Sequence, residues 1–371
     1  MAPPKVFVTD SLPEEARQIL SGFEVYEREA DDGVLAQCQA LVCWPSRARP
    51  ELLQKMNRLR MVQTLSAGVD GFDFSSLSPG VQVFSNAGAF SETVAEHAWG
   101  LLLGIAKGIH LRNVRSTPRA LRGKTLLVVG AGGIGTEVAR LSKSLGMRTI
   151  GASRSFRAPN LFDEAHSFSS LEKDVMAADA IVITLPLTNA TRGIINYELL
   201  MKGKEHVVVV NVGRGDTVDE EGLVRWLRER PESRFATDVF WKDGRKEVFT
   251  TKAWDLQNFA ATLHNSGTPS GENLRGPKVA AATNVRRFFE SGEAINGVEI
   301  REYSKKPRRS PQRLNTRRGG RAQQGQTYAK KEIRHKRVRG TKGRGTGHNT
   351  STSTNTSTST AERTIPEVSA L

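Results

Sequence analysis

The sequence contains few cysteines and no long apolar run. Cys38 and Cys43 are the two cysteines in 371 residues, too few for a disulfide framework and typical of a reducing compartment. No uninterrupted apolar segment reaches the roughly 18 residues that a membrane-spanning helix needs. The opening residues MAPPKVFVTD lack the apolar centre of a secretory signal peptide. We therefore expect a cytoplasmic protein with no membrane segment.

Acidic residues are scarce in one part of the chain. Residues 305–345 hold 16 Lys or Arg against the single acid Glu332, so they carry the whole net charge of +15, and residues 1–304 are close to balance. Residues 305–371 are also poor in large apolar side chains and cannot bury enough surface to offset chain entropy, which predicts a disordered basic and Ser/Thr-rich tail. Three alternatives stay open for residues 305–345: non-specific nucleic-acid binding, a solvated polycation, or an extension foreign to the natural gene product.

The first 304 residues alternate apolar runs with amphipathic segments. KVFVTD, ALVCW and RMVQTL indicate strands of an N-terminal unit, and TLLVVG, AIVITL and HVVVVN indicate strands of a second unit. Continuous β-branched runs between helical stretches are typical of a parallel sheet covered on both faces. The segment ETVAEHAWGLLLGIAKGI predicts a long helix that crosses between the units. The sequence thus predicts an α/β fold with two domains.

A glycine pattern follows the first strand of the second unit. Gly130, Gly132 and Gly135 stand in G-x-G-x-x-G spacing between TLLVVG and an amphipathic segment. The first glycine permits a tight turn, the second lets the backbone approach a pyrophosphate, and the third lets helix and strand pack closely. The helix N-terminus adds amide donors for the phosphates. This context predicts a dinucleotide site formed by Gly130, Gly132, Gly133, Ile134 and Gly135.

The stretch GASRSFR, at the end of the next predicted strand, lacks the acid that usually binds the ribose diol of NAD. Ser153, Arg154 and Ser155 stand there instead, followed by Arg157. Hydroxyl donors and a guanidinium suit a 2′-phosphate, so the residues predict NADP as the cofactor. NAD beside a solvated Arg154 is the alternative that stays open.

Three polar residues follow strands of the second unit and point to a reaction. Arg214 comes after HVVVVN, Asp243 lies five residues after Asp238, and His264 ends FAATLH. The carboxyl ends of parallel strands meet at the edge where ligands bind. Arg214 would clamp a substrate carboxylate, and His264 would exchange a proton with the keto oxygen while hydride moves to or from a nicotinamide. Asp243 would orient the imidazole and stabilise its protonated form, and Glu247 or no carboxylate is the alternative.

Seven segments, taken in order, resemble the D-isomer-specific 2-hydroxyacid dehydrogenases over roughly residues 3–304. They are LSAGVDGFDF, NAGAFSETVAEHAWGLLLGIAK, LRGKTLLVVGAGGIG, ADAIVITLPLTNATRGIIN, NVGRGDTVDEEGLV, DVFWKD and the strand with His264. The resemblance implies an oxidoreductase that acts on small 2-oxo or 2-hydroxy acids of D configuration, with glyoxylate or hydroxypyruvate as default substrates. Homodimers built partly on the long helix near Val94 are usual in the family.

The resemblance also implies a domain organisation and further site residues. A Rossmann-type NAD(P)-binding domain at 93–267 would be inserted in a smaller flavodoxin-like substrate domain made of 1–92 and a returning helix within 268–304. Backbone amides would help to hold the substrate carboxylate at Ala67, Gly68 and Val69. Other residues would line the cofactor, and these are Pro186, Thr191, Val212 and Asp238. We predict no bound metal.

The chain departs from the family pattern at two places. The orienting acid of the family is usually Glu followed by Pro, and this chain has Asp243 followed by Gly244. The residue before the catalytic His is usually Pro and here is Leu263. A second functional hypothesis also stays open, because some relatives are corepressors: a nucleotide-sensing binding protein with a nucleic-acid-binding tail. The set Arg214, Asp243 and His264 favours turnover, since sensing needs no proton donor.

Overall fold

Two parallel β-sheets organise the chain in a computed structural model that describes residues 2–111, 117–244, 246–267 and 274–303. The predicted tail at 305–371, with its proposed nucleic-acid segment, lies outside the described residues. In both sheets most successive strands are joined by helices, so the predicted α/β fold is confirmed.

The first sheet has five short parallel strands with helices between them. The strands are β1 (Lys5–Val8), β2 (Glu24–Glu27), β3 (Ala40–Cys43), β4 (Met61–Thr64) and β5 (Gln82–Phe84). The helices are α1 (Glu14–Ile19), α2 (Asp32–Gln37) and α3 (Pro50–Lys55). The spatial order is β2-β1-β3-β4-β5, and every neighbouring pair is parallel. Strands β3 and β4 are buried at every position, as expected of central strands covered on both faces.

The long apolar segment forms helix α4 (Ser91–Lys107), as predicted. It packs against the second sheet and ends at Gly108, whose φ of +72° allows the left-handed turn that closes the helix. Val94, near which the resemblance places a dimer contact, is buried within the chain itself, and a homodimer stays a prediction. Among the described residues no helix combines the length and apolar character that a bilayer crossing requires.

The second sheet is larger and also parallel. Its strands are β6 (Thr125–Ala131), β7 (Arg148–Phe156), β8 (Glu164–His166), β9 (Ala180–Ile183), β10 (Val208–Asn211), β11 (Arg234–Thr237) and β14 (Phe259–Ala261). A two-stranded antiparallel hairpin, β12 (Lys242–Asp243) and β13 (Lys246–Glu247), stands outside this sheet. The helices are α5 (Gly133–Ser144), α6 (Leu171–Ala177), α7 (Tyr197–Lys202) and α8 (Glu220–Glu229).

The strand order of the second sheet creates a crevice. The order is β14-β11-β10-β9-β6-β7-β8. From β6 the chain builds outward through β7 and β8, and then returns to the other side of β6 with β9. Ligands of open α/β sheets bind outside the carboxyl ends of the strands where the order reverses. The reversal at β6 and β9 therefore marks the position of the site.

The chain returns to the first sheet after the second is complete. Helix α9 (Arg275–Glu290) packs against α1 and β4. The amide of Asn284 donates to the Gln63 side-chain oxygen at 2.7 Å, and both side chains are buried. Asn86 similarly donates to the Pro277 carbonyl at 2.9 Å. These buried polar contacts fix the returning helix to residues that are some two hundred positions earlier in the chain.

Candidate functional site

The glycine loop between β6 and α5 forms an open cradle. Gly130 has a φ of +102°, and a Cβ on Gly135 would collide with the Gly130 carbonyl oxygen. A Cβ on Gly132 would meet no atom within 4 Å. Gly132 is also the N-cap residue of α5, so no N-cap side chain bonds to the first amides of this helix. The buried Ser91 hydroxyl faces Gly133 and has no hydrogen-bond partner among the described residues. Uncapped amides, open space and an unused hydroxyl fit a dinucleotide pyrophosphate.

Strand β7 is longer than the sequence predicts. It continues beyond Ala152 to Phe156 because its register shifts: Ala152 pairs with Val129, whereas Phe156 pairs with Ala131. The stretch Ser153–Ser155 lies in this irregular part, next to the glycine loop. A shift of register leaves no mark in the pattern of apolar residues, so the sequence placed the strand end too early.

Two arginines lie in or next to the predicted 2′-phosphate stretch. The Arg157 guanidinium approaches Gly133 of the glycine loop and Gly88, which precedes α4. The Arg154 guanidinium forms two bonds with the Glu302 carboxylate, 2.5 Å from Nη1 to Oε1 and 3.1 Å from Nη2 to Oε2. Arg154, which the sequence predicts to bind the 2′-phosphate, is thus paired with Glu302, an acid that the sequence did not single out.

The predicted cofactor-lining residues lie in loops along the same edge. After β9, the Thr191 hydroxyl donates to the Pro186 carbonyl at 2.6 Å and accepts from the Thr188 amide at 2.8 Å, which folds the loop back on itself. After β10, the buried Val212 donates its amide to Ile183 at 3.0 Å. Both loops open onto the crevice where the strand order reverses.

Asp238, directly after β11, fixes the loop that carries His264. Its carboxylate is fully buried and accepts from the Thr262 hydroxyl at 2.6 Å. The amides of Asn265 and Ser266 also donate to it, each at 3.1 Å. Within this loop His264 has a φ of +50°, in the left-handed region that costs energy for residues other than glycine. The buried carboxylate therefore helps to hold a strained backbone that presents the imidazole.

The carboxylate partner of His264 is Glu247, and the prediction of Asp243 was wrong. The Glu247 Oε2 atom lies 2.5 Å from His264 Nδ1, and its Oε1 atom accepts from the Phe240 amide at 2.5 Å. Asp243 is exposed, and its side chain forms no hydrogen bond within the described part of the chain. The reason is the hairpin: Lys242 pairs with Glu247, whereas Asp243 pairs with Lys246 on the opposite face.

A turn signal marks this hairpin in the sequence. Asp-Gly between short polar runs is typical of a tight β-turn, and Gly244 has a φ of +63°. The family spacing places the acid five residues after Asp238, whereas Glu247 comes nine residues after it. Recognising the Asp-Gly turn would have favoured Glu247, which was the alternative.

Arg214 lies between the two sheets and binds an acid from the first. Its Nε donates to Asp70 Oδ1 at 2.8 Å, and Lys242 forms an ion pair with the other Asp70 oxygen. Burial alone would raise the pKa of the Asp70 carboxyl, but the charges of Arg214 and Lys242 outweigh burial and hold that pKa well below its usual value. Burial alone would lower the pKa of the Arg214 guanidinium. The negative charges of Asp70 and Glu247 outweigh burial and raise that pKa. Sequence reasoning missed both Asp70 and Lys242.

The backbone at 67–69 offers anion donors beside Arg214. The amides of Ala67, Gly68 and Val69 donate no hydrogen bond within the described residues. Gly68 is so close to Arg214 that a Cβ there would collide with the guanidinium Nη2. Unused backbone amides close to a guanidinium are groups that could bind a small carboxylate.

Comparisons with known proteins show which proteins this chain is similar to. The family model described as "D-isomer specific 2-hydroxyacid dehydrogenase, NAD binding domain" matches residues 82–266. The chain is 30% identical over 283 residues to the hydroxypyruvate reductase of Thermotoga maritima, which covers 71% of this chain and 92% of the relative. It is 32% identical over 340 residues to the glyoxylate reductase of Aeropyrum pernix, which covers 82% of this chain and 98% of the relative. The crystal structure of a glycerate dehydrogenase related protein from Thermoplasma acidophilum is 32% identical, with a TM-score of 0.54, and covers 77% of this chain and 100% of that one.

Proposed function

Because this chain belongs to the D-isomer-specific 2-hydroxyacid dehydrogenases, we propose that it reduces small 2-oxo acids to D-2-hydroxy acids, with NADPH as the preferred donor. Glyoxylate and hydroxypyruvate are the proposed substrates, since relatives of 32% and 30% identity are named for them. One observation carries the proposal: Arg214, which binds Asp70, and His264, which binds Glu247, both follow parallel strands of the second sheet at its carboxyl edge.

The cofactor would be held along the carboxyl edge of the second sheet. The glycine loop and the start of α5 would bind the pyrophosphate, and Ser153, Arg154 and Ser155 would bind the 2′-phosphate. The rest of the cofactor would lie against the loops that follow successive strands, at Pro186, Thr191, Val212 and Asp238. A bound reduced nicotinamide would supply the hydride for the reduction.

Substrate would be held by its carboxylate between the two domains. The amides of Ala67, Gly68 and Val69 and the guanidinium of Arg214 would donate to it, and Arg214 would also polarise the keto oxygen. Asp70 would fix the orientation of Arg214 through the 2.8 Å bond. It would act on the substrate through Arg214 and is therefore a positioning residue.

His264 would deliver the proton to the keto oxygen. Glu247 binds Nδ1, so Nε2 is the ring atom that would face the substrate and exchange the proton. The Glu247 carboxylate would stabilise the charged ring while it holds the proton. A sensor of nucleotides needs neither the proton donor nor its carboxylate, and the geometry therefore favours turnover over the binding-protein hypothesis.

The cofactor proposal predicts a preference of about tenfold or more in kcat/KM for NADPH over NADH, equivalent to about 1.4 kcal/mol. The assay follows absorbance of the reduced nicotinamide with a panel of 2-oxo acids and both cofactors. Arg154→Ala should erode the preference, mainly by raising KM for NADPH, because it removes the guanidinium at the end of β7. Arg140→Ala is the matched control, since Arg140 is an exposed residue of α5 paired with Glu137. Equal or better activity with NADH in the unmodified protein would refute the preference.

A further inference from the structure

The segment after α9 connects the two domains. It first follows the edge of β5, where the Val298 amide donates to Val83 at 2.8 Å. It then reaches the loop after β9, where the Glu302 carbonyl accepts from the Asn189 amide at 2.9 Å. The first anchor is on β5 of the first sheet, and the second is on the loop that follows β9 of the second sheet. At the second anchor the Glu302 side chain contacts Arg154 in the irregular part of β7.

The contact of Glu302 with Arg154 is specific and yet accessible. Two parallel bonds join carboxylate and guanidinium, the geometry in which Arg recognises carboxylates and phosphates alike. The hydrogen bond from Arg154 lowers the pKa of the Glu302 carboxyl, so the acid is ionised at neutral pH. The two side chains are 57% and 29% exposed, so the pair gains little free energy and can be exchanged for another partner.

We propose that Glu302 sets the cofactor preference of this enzyme by competing with the 2′-phosphate of NADP for Arg154. The inference rests on the proposed function in one respect, namely that Arg154 receives the 2′-phosphate. The segment after α9 thus places an acid next to Arg154.

The charge of the 2′-phosphate explains why Glu302 weakens the binding of NADP and not that of NAD. A phosphate monoester carries close to two negative charges and presents several acceptors, so it and the Glu302 carboxylate cannot both occupy one guanidinium. NADP must therefore displace Glu302 before it gains the contact. NAD has a hydroxyl at this position, which can donate to a carboxylate, so the pair between Arg154 and Glu302 can persist. Glu302 reduces the preference for NADP below what Arg154 alone would confer.

The substitution Glu302→Gln tests this competition, because it keeps the size of the side chain and removes its charge. We expect NADP+ to bind about threefold to tenfold more tightly, because the exposed pair that competes for Arg154 is lost. NAD+ affinity should stay within about twofold. Equilibrium dissociation constants from titration calorimetry give the readout, with steady-state KM and kcat for NADPH and NADH alongside: KM for NADPH should fall while kcat is unchanged.

Glu299→Gln is the matched control, since Glu299 lies in the same segment and is paired with Arg301. It should change neither affinity. The inference is overturned if Glu302→Gln leaves NADP+ affinity unchanged or weakens it, or if both cofactors shift equally, as a purely structural role would require.

Arg154→Ala separates this inference from the proposed function. In that background Glu302→Gln should no longer affect NADP+ affinity, and a persisting effect would overturn the competition. If Arg154→Ala weakens NADP+ binding and Glu302→Gln does nothing, the inference alone fails. If Arg154→Ala leaves NADP+ affinity unchanged, the cofactor assignment of the proposed function fails with it.

Discussion

Glu247 uses both of its carboxylate oxygens, one on the imidazole of His264 and one on the amide of Phe240. The side chain is only 17% exposed and cannot turn away without leaving a backbone donor unpaired. Asp243, four residues earlier, points to solvent on the other face of the same hairpin. The chain thus provides two acids of similar sequence context, of which one touches the histidine.

Substitution of these two acids tests the role of Glu247. Glu247→Gln should lower kcat/KM for reduction of glyoxylate or hydroxypyruvate by about 10²-fold or more, since general acid catalysis is worth about 10²–10⁴-fold. Asp243→Asn should keep activity within about twofold, because the side chain is exposed. Both variants are measured at saturating NADPH, and thermal melting confirms that they are folded. An equal loss in both variants, or full activity of Glu247→Gln, would contradict the assignment.

Single residues also mark the limit of prediction from sequence. Arg214 and His264 could be predicted because parallel strands bring their carboxyl ends to one edge, whatever the lengths of the loops. Their partners could not be predicted in the same way. Asp70 is 144 positions from Arg214 and follows β4 of the first sheet. Which acid binds His264 depends on the alternation of side chains in a hairpin whose strands have two residues each.

At the scale of elements, the unit from β6 to α5 is the part that sequence predicts best. Its signals are local: a buried strand, glycines at fixed spacing and an amphipathic helix. The end of β7 and the path after α9 follow from contacts between distant segments, such as the shift of register at Ala131 and the anchor of Val298 on Val83. Local propensity does not encode such contacts, so the approach of Glu302 to Arg154 had no sequence signal.

Two glycines of this unit should respond differently to the same substitution. Gly132→Ala adds a methyl group where no atom lies within 4 Å, so we expect the free energy of unfolding to change by at most about 1 kcal/mol. It should still weaken cofactor binding by about tenfold or more, because that space is the approach for the pyrophosphate. Gly135→Ala meets the Gly130 carbonyl and should also destabilise the fold, by about 1–3 kcal/mol.

Denaturant unfolding and calorimetric titration with NADP+ measure the two effects separately. A Gly132→Ala protein that binds NADP+ with unchanged affinity would show that the cofactor does not approach this loop. A Gly135→Ala protein as stable as its parent would show that α5 can move away from β6 without cost.

At the scale of the whole molecule, the distribution of charge divides the chain near residue 304. Residues 1–304 are nearly balanced in charge, and almost all of the net charge of +15 resides beyond them. The last residues before that boundary are packed: the ring of Tyr303 lies 5.4 Å from that of Phe74, and Glu302 is bound to Arg154. The enzyme and the basic extension should therefore be separable after residue 304.

A chain that ends at Ser304 should keep the melting temperature, the NADP+ affinity and the reductase activity of the full chain. A chain that ends at Glu290 is the contrasting variant, and it should melt at a lower temperature because it loses the Val298 anchor and the Tyr303 contact with Phe74.

Fluorescence anisotropy with a labelled RNA tests the extension: binding by the full chain should fall steeply between about 50 and 200 mM salt, since it depends on release of counterions from phosphates. The chain that ends at Ser304 should not bind, because its charge is close to balance. Loss of turnover on removal of residues 305–371 would show that the extension belongs to the catalytic unit, and RNA binding that survives this removal would locate the nucleic-acid surface on the folded domains.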